Sequence, residues 1–182
     1  GNSAAKSNCY WMTTDDDWIG DEAGLLEEYH SDVDAVRAWW YARDAYAFYL
    51  DKYDRDSFDG DGEELEVYVY ADLEGKCGLF QEGAGCDLIE FEYGCVTRDI
   101  MVHEYTHGVI YFTSALPTTY NSQGRVLHEH YADVMGCLAD PPDWEIGEDR
   151  IMWPDPPRNL SNPPVWKMSQ YNPNAGPYVN SG

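Results

Sequence analysis

Apolar residues recur at helical spacing in three stretches of the chain. The first stretch, 31–53, opens on a helix-capping pattern and continues as a long amphipathic helix. A second helix is predicted from 99 to about 113, and a third from about 125 to 140. Pro141 and Pro142 end the third helix, since neither proline can continue it.

Alternation of apolar and polar residues predicts strands between the first two helices. It is clearest at 65–70, and a second strand-like run follows at 88–93. Turn residues and glycines between these elements predict a small, largely antiparallel sheet. The last part of the chain is rich in proline, which predicts a loop-like tail. The predicted fold class is therefore α+β: an antiparallel β-rich N-terminal lobe with one long helix over 1–98, then a helical hairpin and loop-rich tail over 99–182.

Composition limits the classes of function. The chain has 182 residues, 43% of them hydrophobic, so it can bury a core as one domain or as two small lobes sharing a cleft. No apolar run is long enough to cross a membrane, and the sequence does not open with a signal-peptide pattern, so Gly1 is expected to be a processed or trimmed end. A formal net charge of −23 repels phosphate backbones, so nucleic acid is not an expected partner. The same acidity fits a solvated surface, calcium binding or adaptation to high salt, and these alternatives stay open.

A five-residue motif in the second helix carries the candidate chemistry. His103-Glu104-Tyr105-Thr106-His107 fits the pattern H-E-x-x-H. On a helix, residues four apart share a face, so both imidazoles can bind one ion while Glu104 lies beside it. A catalytic zinc site also needs a third protein ligand and an open position for water.

The third predicted helix supplies that ligand if it packs antiparallel on the second. In an antiparallel helix pair, the residue numbers of two facing residues add up to a nearly constant value. This rule sets Glu129 opposite His107 and Asp133 opposite His103. Asp133 can accept the second ring N–H of His103 and fix its tautomer. A metzincin site is excluded, because it requires a histidine six residues after His107, where Thr113 stands.

Longer segments around these residues resemble the thermolysin family of zinc endopeptidases. The segments that carry the resemblance are 99–109, 129–136, 143–149, 158–163 and 180–182 and, more loosely, the first helix and 53–60. The resemblance runs from about residue 32 to the end of the chain. It implies a thermolysin-like fold, a secreted zinc endopeptidase and a peptide or protein substrate.

Carried over residue by residue, the resemblance implies three zinc ligands: His103, His107 and Glu129. It makes Glu104 the general base that takes a proton from water and passes it to the leaving amine. Tyr120 corresponds to a tyrosine that hydrogen-bonds the oxyanion, and Arg158 to an arginine that holds a substrate carbonyl. An apolar substrate side chain is expected just after the scissile bond, with Ile146 near its pocket.

Acidic residues near the second and third helices match the family's calcium positions. They are Asp99, Asp140, Asp143, Glu145 (through its backbone carbonyl) and Glu148. The helical register itself brings Asp99 close to Asp140, one turn beyond the zinc ligands. Hard oxygen ligands on loops and helix ends suit calcium and not zinc. The resemblance implies that calcium protects the fold against unfolding and self-digestion.

Two features depart from the family. The chain ends at Gly182, before the family's C-terminal helical lobe, so two alternatives stay open: a separate C-terminal fragment of the same precursor is a partner, or this chain is itself a fragment. Tyr178 stands where the family has a catalytic histidine, and Pro173 where an aspartate orients it, so Tyr178 is expected to be a weaker oxyanion donor.

These departures motivate an alternative function, a non-catalytic pseudo-protease that acts as a binding or structural module. The intact Glu104 argues against this alternative. A related aminopeptidase would need an acidic clamp for a free amine, and no such motif is found.

Five cysteines show no recognised zinc spacing, so disulfides in an oxidising compartment are expected. Cys77 and Cys86 are nine residues apart across a glycine-rich turn, which predicts one bond. Cys95 and Cys137 flank the two metal-site helices, which predicts a second. The odd count leaves one thiol free or paired to a segment outside this chain.

Overall fold

The computed structural model describes residues 8–12, 33–81, 87–114, 116, 122–141, 143–151 and 157–162. Within these ranges the helices are α1 (Val33–Tyr53), α2 (Arg98–Thr113) and α3 (Gln123–Ala139). The strands are β1 (Asn8–Met12), β2 (Leu65–Val69), β3 (Gly78–Gln81), β4 (Leu88–Phe91), β5 (Glu145–Ile146) and β6 (Arg158–Asn159). None of the described helices is both long and apolar enough to cross a bilayer.

The three predicted helices are all present, with ends within two residues of the predicted ones. The start of α3 is capped by Ser122, whose hydroxyl accepts a hydrogen bond from the Arg125 amide at 3.1 Å. α3 ends at Ala139, two residues before Pro141. Together with the small sheets, these helices confirm the α+β fold class. The division into lobes at residue 98 stays a prediction.

The larger sheet has the strand order β1-β2-β4-β3. The β1–β2 and β3–β4 pairings are antiparallel, as expected, but β2 and β4 run parallel. The parallel pairing arises because the chain leaves β2, reaches the outer edge to form β3, and turns back as β4 between them. β3 is therefore an edge strand of this sheet. A two-stranded antiparallel sheet, β5–β6, follows α3.

α2 is the centre of the packing. Ten of its sixteen residues are buried, which leaves no wide polar face. α1, α3 and β3 enclose it. The ring of Tyr49 in α1 stacks on Tyr105 with centroids 5.4 Å apart, and the Tyr49 hydroxyl lies 2.7 Å from that of Thr106. Because α2 is enclosed, polar side chains that it carries, His103 and Glu104 among them, are buried as well.

One disulfide joins Cys77 to Cys95, so the predicted Cys77–Cys86 and Cys95–Cys137 bonds are both wrong. The hairpin geometry explains the difference. Cys77 precedes β3 and Cys95 follows β4, so antiparallel pairing brings both to the same end of the hairpin. The Glu92 amide donates to the Cys77 carbonyl at that end, with a distance of 3.1 Å. Cys137 is a buried free thiol whose Sγ lies 3.5 Å from the Glu145 carbonyl oxygen.

Gly136 allows α3 to approach the start of α2 closely. A Cβ atom added at Gly136 would lie 2.7 Å from the backbone carbonyl oxygen of Asp99 and 2.8 Å from Cδ1 of Ile146. A backbone oxygen cannot turn away as a flexible side chain can. The absence of a side chain at Gly136 therefore sets the spacing between the two helices.

Gly136→Ala should lower the free energy of unfolding by about 1–2 kcal/mol, measured by urea denaturation. Alanine has a helix propensity about 1 kcal/mol more favourable than that of glycine. Overpacking costs about 1–3 kcal/mol, and the cost should be near the upper end of this range because the contact is with rigid backbone. The control is His130→Ala on the exposed surface of α3, which should change stability by no more than about 0.5 kcal/mol. A Gly136→Ala protein as stable as the wild type would show that the helices do not need this close contact.

Candidate metal centre

Two histidines of α2 and one glutamate of α3 converge on a single point. The Nε2 atoms of His103 and His107 are 3.0 Å apart. Oε2 of Glu129 lies 3.5 Å from Nε2 of His103 and 3.7 Å from Nε2 of His107. The three ligand atoms thus form a compact triangle with one atom from each side chain.

The dimensions of this triangle fit a zinc ion. Zinc bound tetrahedrally at about 2.0–2.2 Å has ligand atoms separated by roughly 3.3–3.6 Å. The three observed separations, 3.0, 3.5 and 3.7 Å, lie around that range. Two imidazole nitrogens and a carboxylate oxygen are also a donor set that zinc accepts at sites with an open fourth position. His103, His107 and Glu129 therefore fit a zinc site.

The electrostatics of the three side chains are strongly coupled. Burial lowers the pKa of His103, but close contacts with Asp133 and Glu129 outweigh it and raise the pKa to about 9. Burial and the charge on His103 lower the pKa of His107 to about 3. For Glu129, burial raises the pKa, but His103 and His107 lower it to about 2. Without a metal ion, the contacts with Asp133 and Glu129 favour a proton on His103, and a bound cation would compete with that proton.

Glu104 lies beside the two histidines and against the edge of the larger sheet. Its Oε2 accepts a hydrogen bond from the Phe80 amide of β3 at 2.9 Å. A Cβ atom added at Gly78 would lie 2.8 Å from Oε1, so the glycine leaves room for this carboxylate. Burial raises the pKa of Glu104, partly opposed by the charge on His103. The result is a buried carboxylate with a fixed orientation and increased basicity.

Asp133 lies behind His103, on the side away from Glu129. Its Oδ1 is 2.9 Å from Nδ1 of His103 and 2.7 Å from Nη2 of Arg158, although neither Nδ1 nor Oδ1 makes a well-aligned hydrogen bond. Arg158, the candidate ligand of a substrate carbonyl, thus contacts the acid that lies behind His103. Its side chain remains 53% exposed. Tyr120, Tyr178 and Pro173 lie outside the described residues.

His128 belongs to the same cluster, and the sequence analysis missed it. Its Nδ1 lies 2.6 Å from Nδ1 of His107, and the two rings meet edge to edge, with centroids 4.6 Å apart and planes 27° from parallel. The side chain is buried. A signal was available in the sequence, since His128 directly precedes Glu129 and falls one position from the residue that faces His107.

Three carboxylates gather near the far end of the helical pair. Asp140, Glu148 and Asp149 each place an oxygen within 4.8 Å of the others. Oε2 of Glu148 is buried and has no hydrogen-bond partner. Burial raises the pKa of Asp140 and of Glu148, and the charges of neighbouring acids add to it. Asp149 was not among the predicted calcium ligands.

The other three predicted calcium ligands make hydrogen bonds within the protein. The buried carboxylate of Asp99 accepts from its neighbours Thr97, Ile100 and Gly147. Asp143 accepts from the Glu145 amide at 3.0 Å. The side chain of Glu145 accepts from Asn159 at 2.6 Å, which links β5 to β6. Ile146, expected near a substrate pocket, is buried beside Gly136.

The fold is similar to that of a solved metalloproteinase. The precursor of protealysin from Serratia proteamaculans superimposes with a TM-score of 0.51 at 23% identity. The match covers 59% of this chain and 34% of that chain. At this level of identity the likeness bears on the fold alone.

Curated relatives are metalloproteinases of greater length. Neutral protease B of Bacillus subtilis and a zinc metalloproteinase of Listeria monocytogenes are each 34% identical over an alignment of 122 residues that covers 63% of this chain. Those alignments cover 22% and 23% of the two relatives. Thermolysin of Alicyclobacillus acidocaldarius is 29% identical over 175 residues, covering 83% of this chain and 31% of its own length. The chain thus spans less than a third of the length of these relatives.

A family model gives the most direct assignment. The model described as the catalytic domain of thermolysin metallopeptidases matches residues 2–111, which is more than half of the 182 residues. The match includes residues 2–30, where the sequence motifs showed no clear resemblance. With the H-E-x-x-H motif inside the matched range, the resemblance is confirmed, and this chain belongs to the thermolysin family of metallopeptidases.

Proposed function

We propose that this chain is the zinc-binding part of an endopeptidase that hydrolyses peptide bonds. The observation that carries the proposal is the triangle formed by His103, His107 and Glu129, with Glu104 buried beside it. A purely structural zinc site needs no such carboxylate, since its four positions are filled by ligands. When bound, zinc supplies Lewis acidity and makes water a better nucleophile.

Glu104 is proposed to act as the general base. The Phe80 amide holds Oε2, so the carboxylate keeps one orientation while it accepts a proton from the attacking water. Its raised pKa suits both halves of this role, because a more basic carboxylate takes the proton more readily and can still release it to the leaving amine. Asp133 would hold the ring of His103 in place during the reaction.

The substrate is proposed to be an extended peptide. Among the described strands, β3 pairs only with β4, and its Phe80 amide donates to Glu104. Edge strands bind extended peptides through backbone hydrogen bonds, and here such a strand runs next to the proposed general base. Arg158, half-exposed beside Asp133, is proposed to hold a substrate carbonyl. The oxyanion roles of Tyr120 and Tyr178, and the apolar preference attributed to Ile146, belong to the same proposal.

We also propose that the protein acts outside the cytoplasm. The Cys77–Cys95 disulfide supports this location, because structural disulfides persist in oxidising compartments and are rare in the reducing cytosol.

Calcium is proposed to bind at Asp140, Glu148 and Asp149, with the remaining predicted ligands nearby. Three acids this close repel one another, and Glu148 has a buried oxygen without a hydrogen-bond partner. A hard divalent cation would neutralise the acids and satisfy that oxygen. The cation would then stabilise the junction between the end of α3 and the β5 segment.

Glu104→Gln should retain zinc but lower kcat/KM for a peptide substrate by at least about 10²-fold, because an amide cannot accept the proton from water. Zinc content is measured by atomic emission on the purified protein, and cleavage by a fluorogenic peptide assay. The matched control is Glu64→Gln, at an exposed position, which should leave both measurements unchanged. A zinc-loaded Glu104→Gln protein that cleaves peptide at the wild-type rate would refute the assignment of Glu104.

Added calcium should raise the melting temperature of the zinc-loaded protein. A cation that binds only the folded state at a hundred times its Kd adds about 2.7 kcal/mol, or roughly 5–10 °C for a chain of this size. Glu148→Gln should reduce the shift. The pKa values of Asp140 and Glu148 are raised, so without calcium the folded protein loses stability as pH rises through those values and the two carboxylates become charged. Calcium would neutralise these charges. The calcium-induced rise in melting temperature should therefore be larger at neutral pH than in mild acid.

Melting curves that coincide with and without excess calcium would contradict this site. Magnesium serves as the control ion, because its strict octahedral geometry and reluctant dehydration disfavour sites built from several protein carboxylates. An equal shift with both ions would indicate general screening of the acidic surface instead of a calcium site.

A further inference from the structure

His107 has a partner on each side of its ring. Its Nε2 atom faces Nε2 of His103 at 3.0 Å and the carboxylate of Glu129 at 3.7 Å. Its Nδ1 atom faces Nδ1 of His128 at 2.6 Å, which is within hydrogen-bonding distance. The ring therefore has one side towards the candidate metal site and the other towards a third histidine.

We propose that His128 is a positioning residue of the metal centre, whose Nδ1 accepts the Nδ1 proton of His107 and holds that ring in its metal-binding tautomer. The inference rests on the proposed zinc site. A neutral imidazole carries one N–H and one lone pair. If Nε2 of His107 gives its lone pair to the metal, its proton must be on Nδ1. His128 must then present an unprotonated Nδ1 and carry its own proton on Nε2.

The packing of His128 supports this role. The two rings are nearly parallel, with an interplanar angle of 27°, and His128 is only 7% exposed. Since His128 and Glu129 are adjacent in α3, one turn of this helix supplies both a metal ligand and the acceptor that orients another ligand. The rotation of α3 that sets Glu129 at the site therefore sets His128 as well.

The two histidine ligands are thus supported in different ways. His103 has the carboxylate of Asp133 behind its Nδ1, at 2.9 Å, whereas His107 has an uncharged ring. A neutral acceptor fixes the tautomer of His107 without adding a further negative charge to a site that already contains Glu104, Glu129 and Asp133. Acceptors behind metal-bound histidines typically contribute about 10–100-fold in metal affinity.

Two substitutions separate the acceptor from the packing. His128→Phe keeps an aromatic ring beside His107 but removes the acceptor, so the Kd for zinc should rise about 10–100-fold in competition with a chromophoric chelator. His128→Asn places an amide oxygen at the same number of bonds from the backbone as Nδ1, so it should restore affinity to within a few-fold of wild type. His130→Phe, on the exposed surface of the same helix, is the control and should bind zinc as the wild type does.

A spectroscopic measurement tests the hydrogen bond directly in the wild-type protein. With ¹⁵N-labelled histidine and bound zinc, NMR should detect scalar coupling between the Nδ1 atoms of His107 and His128, and His128 should be in the Nε2–H tautomer. This measurement decides the matter even if His128→Phe does not fold.

Zinc binding by His128→Phe equal to wild type, or a proton on Nδ1 of His128 in the zinc-loaded protein, would overturn the proposal. The underlying zinc site has a separate test. If the wild type binds zinc no more tightly than a His103→Ala, His107→Ala double variant, the zinc site itself is wrong. If the wild type binds zinc tightly and His128→Phe does the same, only the role of His128 is wrong.

Discussion

The register between α2 and α3 is the constraint on which the rest of the structure depends. At one end, Gly136 lets the α3 backbone approach the Asp99 carbonyl closely. One to two turns away, the same register sets Glu129 against the Nε2 atoms of both histidines. A slip by one residue would rotate α3 by roughly 100° and turn Glu129 away from the site. Helix packing therefore determines which side chains form the candidate metal centre.

Burial of α2 adds an electrostatic requirement. The helix carries His103 and Glu104 into the interior, and α3 adds Glu129 and Asp133 beside them. Charges in such surroundings are costly unless other charges compensate them. In the metal-free site, a proton on His103 provides part of that compensation, as the raised pKa of His103 indicates. A divalent cation would compensate the buried carboxylates more fully. The cluster is therefore better suited to binding a metal ion than to stabilising the interior without one.

The sequence predicted the parts of the structure that follow local periodicity. The i, i+4 spacing of His103 and His107, together with an antiparallel hairpin, was enough to bring Glu129 and Asp133 to them. Features that depend on the order of strands in the sheet could not be predicted from local periodicity. The disulfide depends on β4 turning back beside β3, and spacing along the chain could not reveal that Cys77 would meet Cys95.

The central claim is that two imidazoles and one carboxylate bind zinc in this register. X-ray absorption at the zinc edge of the zinc-loaded protein measures the identity of the ligand atoms and their distances. Two imidazole ligands and oxygen at about 2.0–2.2 Å, without sulfur, are the predicted result. Sulfur at about 2.3 Å, or zinc without imidazole scattering, would contradict the assignment of His103, His107 and Glu129 as the ligands.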